Sequence, residues 1–351
     1  MIFPLPLSPL EYYFWCDDTP DYPTTFPIEL TFSGKVDPDA FEQALTATVG
    51  RHPLLSATID AGGVWPHWVE TSPRIHFDWN DSDTPVTHPQ GEHLDLTSSP
   101  GMRTWIREGS EQTKVYFQFH HTCVDGLAVQ QFVEDMLVQY CLNIGAGNDR
   151  TRLRGLDQRQ LLRRHACCRS LREGLKQPLQ RLRDAVDMVW EWHKIMNRRP
   201  AVLAECRDSD SFLDRQANVD GASGCLRQSK PTHRLLDFST HTLDGDQVRR
   251  LKRIATDNHV SANDLLVSDM FRAMRNWNVR HRPQDDQANP WLSISIPANE
   301  RQLADRSMPA ANRLGMAFLS RRVNQCAAGS ALLSSVHKEM ETIRRRHRGR
   351  C

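Results

Sequence analysis

Val115-Tyr116-Phe117-Gln118-Phe119-His120-His121-Thr122-Cys123-Val124-Asp125-Gly126 is the stretch from which the rest of this chain is read. Val115, Phe117 and Phe119 alternate with polar or less apolar neighbours, the period-2 pattern of a strand buried on one face. The strand stops at two adjacent histidines. Asp125 and Gly126 follow, and Leu127 to Leu142 then reads as an amphipathic helix. An imidazole, a carboxyl group and a glycine are thus gathered where a strand turns into a helix.

The residues leave three chemistries open. One histidine is a general base: a neutral imidazole accepts a proton near neutrality, and such a base contributes roughly 10²–10⁴-fold. Alternatively His120, His121 and Asp125 bind a metal. Neighbouring residues on a strand point to opposite faces, so that reading needs a kinked backbone. In the third, the pair is only a polar strand end. Asp125 either orients a histidine or locks the loop through an arginine. Cys123 reads as a buried bystander rather than a thiol nucleophile.

At 351 residues the chain exceeds one ordinary core and fits two domains. A charged fraction of 25% and a hydrophobic fraction of 39% are those of a soluble globular protein. The net charge of +1 provides no global field for nucleic acid or membrane. No apolar run approaches the roughly eighteen residues that cross a bilayer. Met1 to Leu7 lacks the basic start and apolar core of a secretory signal. The nine cysteines are odd in number and scattered, with no C-x-x-C, so reduced thiols and a cytoplasmic location are expected and a structural zinc site is not.

Outward from the motif, local signals place the elements. Ser8-Pro9-Leu10-Glu11 reads as a capping box opening a helix whose apolar face is Leu10, Tyr13 and Phe14. A strand follows over Phe26 to Phe32, then a helix from Asp37-Pro38 that ends at His52-Pro53. Leu54 to Ile59, Val64 to Val69 and Ile75 to Trp79 read as strands, residues 80–100 as polar, Pro-rich loop. Met102 to Arg107 and Lys114 to Phe119 form a hairpin. Residues 150–199 are strongly basic with a helical apolar stripe from Leu171 to Trp190. They read either as a solvated inter-domain helix or as a surface for anionic groups: lipid head groups at a membrane, phosphopantetheine or coenzyme A. Arg207 to Cys225 reads as a flexible connection. Beyond it come a strand over Arg234 to Phe238, a helix over Asp246 to Asn258 and a second capping box at Ser261-Ala262-Asn263-Asp264. A strand from Trp291 ending at Pro297, a short strand over Gly315 to Leu319 and a helix over Ala331 to Ile343 complete the pattern. The mixture predicts an α/β fold.

His120-His121-x-x-x-Asp125-Gly126 resembles the His-His-x-x-x-Asp-Gly signature of the chloramphenicol acetyltransferase-like acyltransferase superfamily. That group includes condensation domains, wax ester synthase/diacylglycerol acyltransferases and polyketide-associated acyltransferases. The resemblance covers most of the chain. Leu7 to Glu11, Arg51-His52-Pro53-Leu54-Leu55, Asp95 to Arg103, Ala262-Asn263-Asp264, Pro297 to Arg301 and Asn312 to Gly315 are similar to further family segments. Ser56 and Ala311 depart from its usual arginine and glycine.

The resemblance implies two similar chloramphenicol acetyltransferase-like α/β sandwich domains with a tunnel between them, the second incomplete. The corresponding division is 1–149 with the motif, 150–230 as basic helical linker, and 231–351 as a second subdomain shortened at its C-terminus. By the same resemblance His121 is the general base, His120 its neighbour in the site and Asp125 a structural residue. Arg301 is then the salt-bridge partner of Asp125, and Gly126 keeps the tight turn free of a side chain. The implied reaction moves an acyl group from a thioester to a hydroxyl or amine acceptor by direct transfer in a ternary complex, within lipid or secondary metabolism. The donor is acyl-CoA or an acyl-phosphopantetheine carrier protein; no bound cofactor and no metal are expected, and no nucleic acid. The alternative is a non-catalytic homologue that acts as a binding module.

Overall fold

A computed structural model groups the chain into two units. It describes residues 2–20, 22–70, 75–89, 91, 93–148, 151–164, 197–204, 241–281, 289–327 and 329–346. The first unit holds the described residues of Met1–Ala166 together with Arg301–Arg313. The second holds those of Thr240–Glu300 and Leu314–Cys351, with 197–204.

The first unit runs β1 (Leu5–Pro6), α1 (Pro9–Asp17), β2 (Thr25–Ser33), α2 (Pro38–Arg51), β3 (Thr58–Asp60), β4 (His67–Val69), β5 (His76–Asp81), β6 (Met102–Glu108), β7 (Gln112–His120) and α3 (Gly126–Asn143). Its main sheet has the order β2-β7-β6-β5, so the strand that ends in the histidines is central. Phe26 lies opposite Phe119, and Met102 lies opposite the same residue from the other side. A three-stranded sheet of order β1-β4-β3 is separate in its hydrogen bonding, and its Leu5, Ile59 and Trp68 join the same core as the main sheet.

The alternation in β7 sorts two different buried faces. Val115, Phe117 and Phe119 pack with Phe41, Leu45 and Val49 of α2 and with Val129, Phe132 and Met136 of α3. Phe132 meets Phe117 and Phe119 at ring separations of 6.1 and 5.8 Å. Each such ring, fully withdrawn from water, contributes about 1.5–3 kcal/mol. The opposite face is polar and lies under the loop that follows β5. There Arg103 donates to the Gly91 and His93 carbonyls, Trp105 to Thr87, and Arg107 to Thr84 and Pro85. A loop over a sheet would leave its carbonyls unpaired; these long side chains satisfy them.

In the second unit, α4 (Gly245–Asp257), α5 (Ala262–His281), β8 (Trp291–Asn299), β9 (Leu314–Arg322) and α6 (Gly329–Arg346) follow one another. Val267 and Phe271 of α5, Leu292, Leu319, and Leu332, Val336 and Met340 of α6 form its core. β8 and β9 pair antiparallel, with Ile294 opposite Leu319. The Ser261–Asp264 capping box forms as expected, and the buried Asp264 also meets His337 Nδ1 at 2.8 Å. Helices and strands alternate in both units, giving the mixed α/β class. None of the described helices is long and apolar enough to cross a membrane.

Local order departs from expectation in several places. Leu54–Ile59 is not one strand: Pro53–Leu55 is a 3₁₀ turn, and only Thr58–Asp60 extends. An apolar run buried as a turn carries the same signal as a buried strand. The helix α1 does not bury Leu10, Tyr13 and Phe14; Tyr13 is 47% exposed while Glu11 is fully enclosed. The carboxylate of Glu11 accepts from Trp68 and from both Nε and Nη2 of Arg164, which turns the helix face inward at that charge. β8 does not end at Pro297 but continues to Asn299. Its only neighbouring strand among the described residues is β9, and an edge strand tolerates a missing N–H.

Most of the basic run over 150–199, the connection Arg207 to Cys225 and the strand expected over Arg234 to Phe238 lie outside the described residues. Of the described residues of that basic run, 151–164 belong to the first unit, where Arg152, Arg159 and Arg163 are exposed and a few others are enclosed. Leu161 and Arg164 are buried, and Arg154 pairs with Asp135 at 3.1 Å.

Candidate active site

The central strand delivers His120 and His121 to the same sheet end but to different surroundings. His121 donates its backbone N–H to the Thr24 carbonyl at 2.9 Å, just ahead of β2. Its ring is held by aromatic faces. Phe14 of α1 stacks on it at 5.3 Å and 25°, and Phe26 of β2 lies 4.3 Å away on a tilt of 36°. Nδ1 is sealed from solvent without a well-placed hydrogen-bond partner, whereas Nε2 is not sealed. The imidazole is therefore oriented by packing, with one nitrogen left available.

His120 is fully buried and points to the other face. Its Nδ1 accepts the Thr122 N–H at 3.0 Å, which places the ring proton on Nε2. Nε2 faces Asp18 Oδ2 at 3.3 Å. The alignment is too poor for a hydrogen bond, so the contact is electrostatic. The two imidazoles do not converge on one point. Among the described residues, no group of three or more His, Cys, Asp or Glu side chains is placed to hold a metal ion.

Asp125 is spent on structure. As N-cap of α3 its Oδ1 accepts the Ala128 N–H at 2.9 Å. Arg301 binds both oxygens, Nη1 to Oδ2 at 2.9 Å and Nη2 to Oδ1 at 2.8 Å, and the Arg313 N–H adds a contact of 2.9 Å. That is the two-pronged geometry that only a guanidinium supplies. Arg301 also donates to the Ala311 carbonyl, and Asn312 donates Nδ2 to the carbonyls of both His121 and Thr122 at 2.7 and 2.9 Å. The segment 301–313 thus splints the motif loop from outside.

Gly126 is not crowded by the chain itself. Its backbone is ordinary, and nothing lies within 4 Å of where a Cβ would stand. The glycine that is tightly packed is Gly101, just ahead of β6, where a Cβ would meet Cys123 Sγ of the motif turn at 2.1 Å. Cys123 itself is fully enclosed, and burial pushes its thiol well above the ordinary range, which leaves it protonated and unsuited to nucleophilic attack.

The electrostatics favour a neutral His121. Burial first, then the neighbouring His120, lower its pKa below 6.5; Asp125 and the Val124 backbone oppose this without reversing it. Burial alone would raise Asp18, but His120 and the Thr24 N–H, with His93, hold it lower on balance. Phe14, Phe26, Asp18 and Asn312 carried no sequence signal that tied them to the histidines. Each meets them only through the fold, and Phe14 read as core of its own helix.

No family model matches the chain, and no curated protein matches it in sequence. Solved structures do match. The first condensation domain of the calcium-dependent antibiotic synthetase, in complex with a substrate analogue, superimposes with a TM-score of 0.64 at 14% identity, over 98% of this chain and 75% of that one. A variant starter condensation domain of rhizomide synthetase in complex with C8-CoA gives 0.59 at 15%, over 98% and 72%. The X-domain from teicoplanin biosynthesis, in its complex with OxyB, gives 0.60 at 14%, over 97% and 70%. At these identities the likeness is one of fold: this chain has the α/β fold of the condensation domains.

Proposed function

We propose that the chain is an acyltransferase that moves an acyl group from a thioester to a hydroxyl or amine acceptor, with His121 as general base. The observation that carries this reading is the clamping of the His121 imidazole between Phe14 and Phe26 with Nε2 left available. A base must present one nitrogen in a fixed direction and be unprotonated at working pH; the packed ring and its lowered pKa support both. Nε2 takes the proton from the acceptor as its oxygen or nitrogen attacks the thioester carbonyl; the tetrahedral intermediate then expels the thiolate, which receives that proton from Nε2 and leaves as the thiol. Asp125 and Arg301 hold the loop and take no part in proton transfer, because every oxygen of the carboxylate is already engaged. The donor is acyl-CoA or an acylated carrier protein, a class supported by the C8-CoA bound to a protein of the same fold.

Purified full-length chain incubated with acyl-CoA donors and mixed alcohols and amines is expected to release thiol only when an acceptor is present. Acceptor-independent hydrolysis alone, or no release with any donor, would overturn the assignment. A second reading, that of a docking module, is favoured by one observation: a protein of the same fold has been seen bound to a protein partner, OxyB.

A further inference from the structure

Beyond the general base, we infer that Asp18 is the positioning residue for His121, tying the connection between α1 and β2, the two elements that carry the flanking rings, to the neighbouring His120. The inference rests on the reading of His121 as the reacting base. Asp18 is the C-cap of α1, and its side chain is 6% exposed. One oxygen accepts the Thr24 N–H at 2.6 Å, closing the connection at its base. Phe14 stands one helical turn before Asp18, and Phe26 stands just beyond Thr24, so this closure sets the spacing of the two rings that hold the imidazole. The Thr24 carbonyl in turn accepts the His121 N–H at 2.9 Å. The other oxygen faces His120 Nε2 at 3.3 Å and His93 Nε2 at 2.6 Å. A single carboxylate therefore joins the two strand ends and the helix that together fix one ring.

The charge and the acceptor character of Asp18 both matter. His120 Nδ1 already accepts from Thr122, so its proton lies on Nε2, and an acceptor must face it. A carboxylate has acceptor sites for all these donors at once. An amide of the same shape retains the Thr24 contact but turns an N–H₂ group toward two ring N–H groups. Asp18→Asn thus preserves volume while breaking the arrangement.

Two readouts test this on the full chain. The phenylalanine faces shift the His121 ring protons by their ring currents, and Phe14→Leu supplies the reference for that shift. In folded Asp18→Asn the His121 ring protons are expected to move toward the Phe14→Leu position. Thioester-dependent kcat is expected to fall roughly 10²-fold, as misplacement of a reacting group by about 1 Å does, with KM nearly unchanged. Unchanged ring shifts in folded Asp18→Asn, or a rise in KM with kcat intact, would overturn the inference. Asp18→Ala is the harsher variant; if it does not fold, the amide variant decides. If the wild-type protein transfers no acyl group at all, the acyltransferase reading falls, and the ring shifts alone decide the role of Asp18.

Discussion

His121 is held by its neighbours' faces and by its backbone rather than by hydrogen bonds to its ring. Its lowered pKa has a kinetic consequence. A base with a depressed pKa stays unprotonated further into acid, so kcat/KM is expected to stay level through neutrality and fall only below pH 6.5. A pH–rate profile whose acid limb lies above that value would contradict the assigned environment. The two glycines of the site separate as sharply. Gly101→Ala forces a methyl group into Cys123 and is expected to cost about 1–3 kcal/mol in denaturant unfolding. Gly126→Ala places its methyl in open space at a helix start and is expected to change stability by less than about 1 kcal/mol. The motif's own glycine looked the more constrained in sequence. Sequence shows which residue is glycine but not what stands opposite its missing side chain.

At the scale of elements, local signals were legible and long-range ones were not. Ser8 and Glu11 form their capping box because both partners lie within one turn, and Ser8→Ala is expected to cost about 1 kcal/mol. The face that α1 buries could not be read the same way. It is chosen by Arg164, 153 residues downstream of Glu11. Leu54 and Leu55 misled for a related reason, since a buried turn and a buried strand are equally apolar. Asp125 joins the local and the distant: it caps α3 and anchors Arg301, 176 residues away. Only the family resemblance pointed to that arginine. Asp125→Ala removes the cap and strands a partly buried guanidinium, and about 3 kcal/mol of destabilisation is expected by chemical denaturation. A loss no larger than that of Ser8→Ala would show that the splint from segment 301–313 is not anchored there.

Across the molecule, buried titratable groups set the response of stability to pH. Burial lowers the pKa of His52, His76 and His121, and lowers His88 from 6.5 to about 4. As pH falls below 6.5 the unfolded chain takes up protons that these folded histidines refuse, so folding stability is lost from there downward. Asp18 and Asp135 are each pushed up by burial, yet their histidine and other polar partners hold them low on balance. They add a further loss at still lower pH, where the folded carboxylates protonate. The denaturation midpoint is expected to be level above neutrality and to fall between pH 6.5 and 4. The mixed α/β class was legible because helix and strand periods and caps agreed with one another, and only the resemblance of the motif and its flanking segments implied the particular fold. The ring clamp and the Asp18 network were not, because they join residues that only the folded chain brings together.

The central claim is that His121 takes the acceptor's proton during acyl transfer. The direct measurement compares acceptor-dependent thiol release by wild type and His121→Ala, both checked for folding. The wild type is expected to show transfer, with kcat/KM falling roughly 10²–10⁴-fold in the variant while unfolding changes little. Equal transfer by the two proteins would contradict the claim.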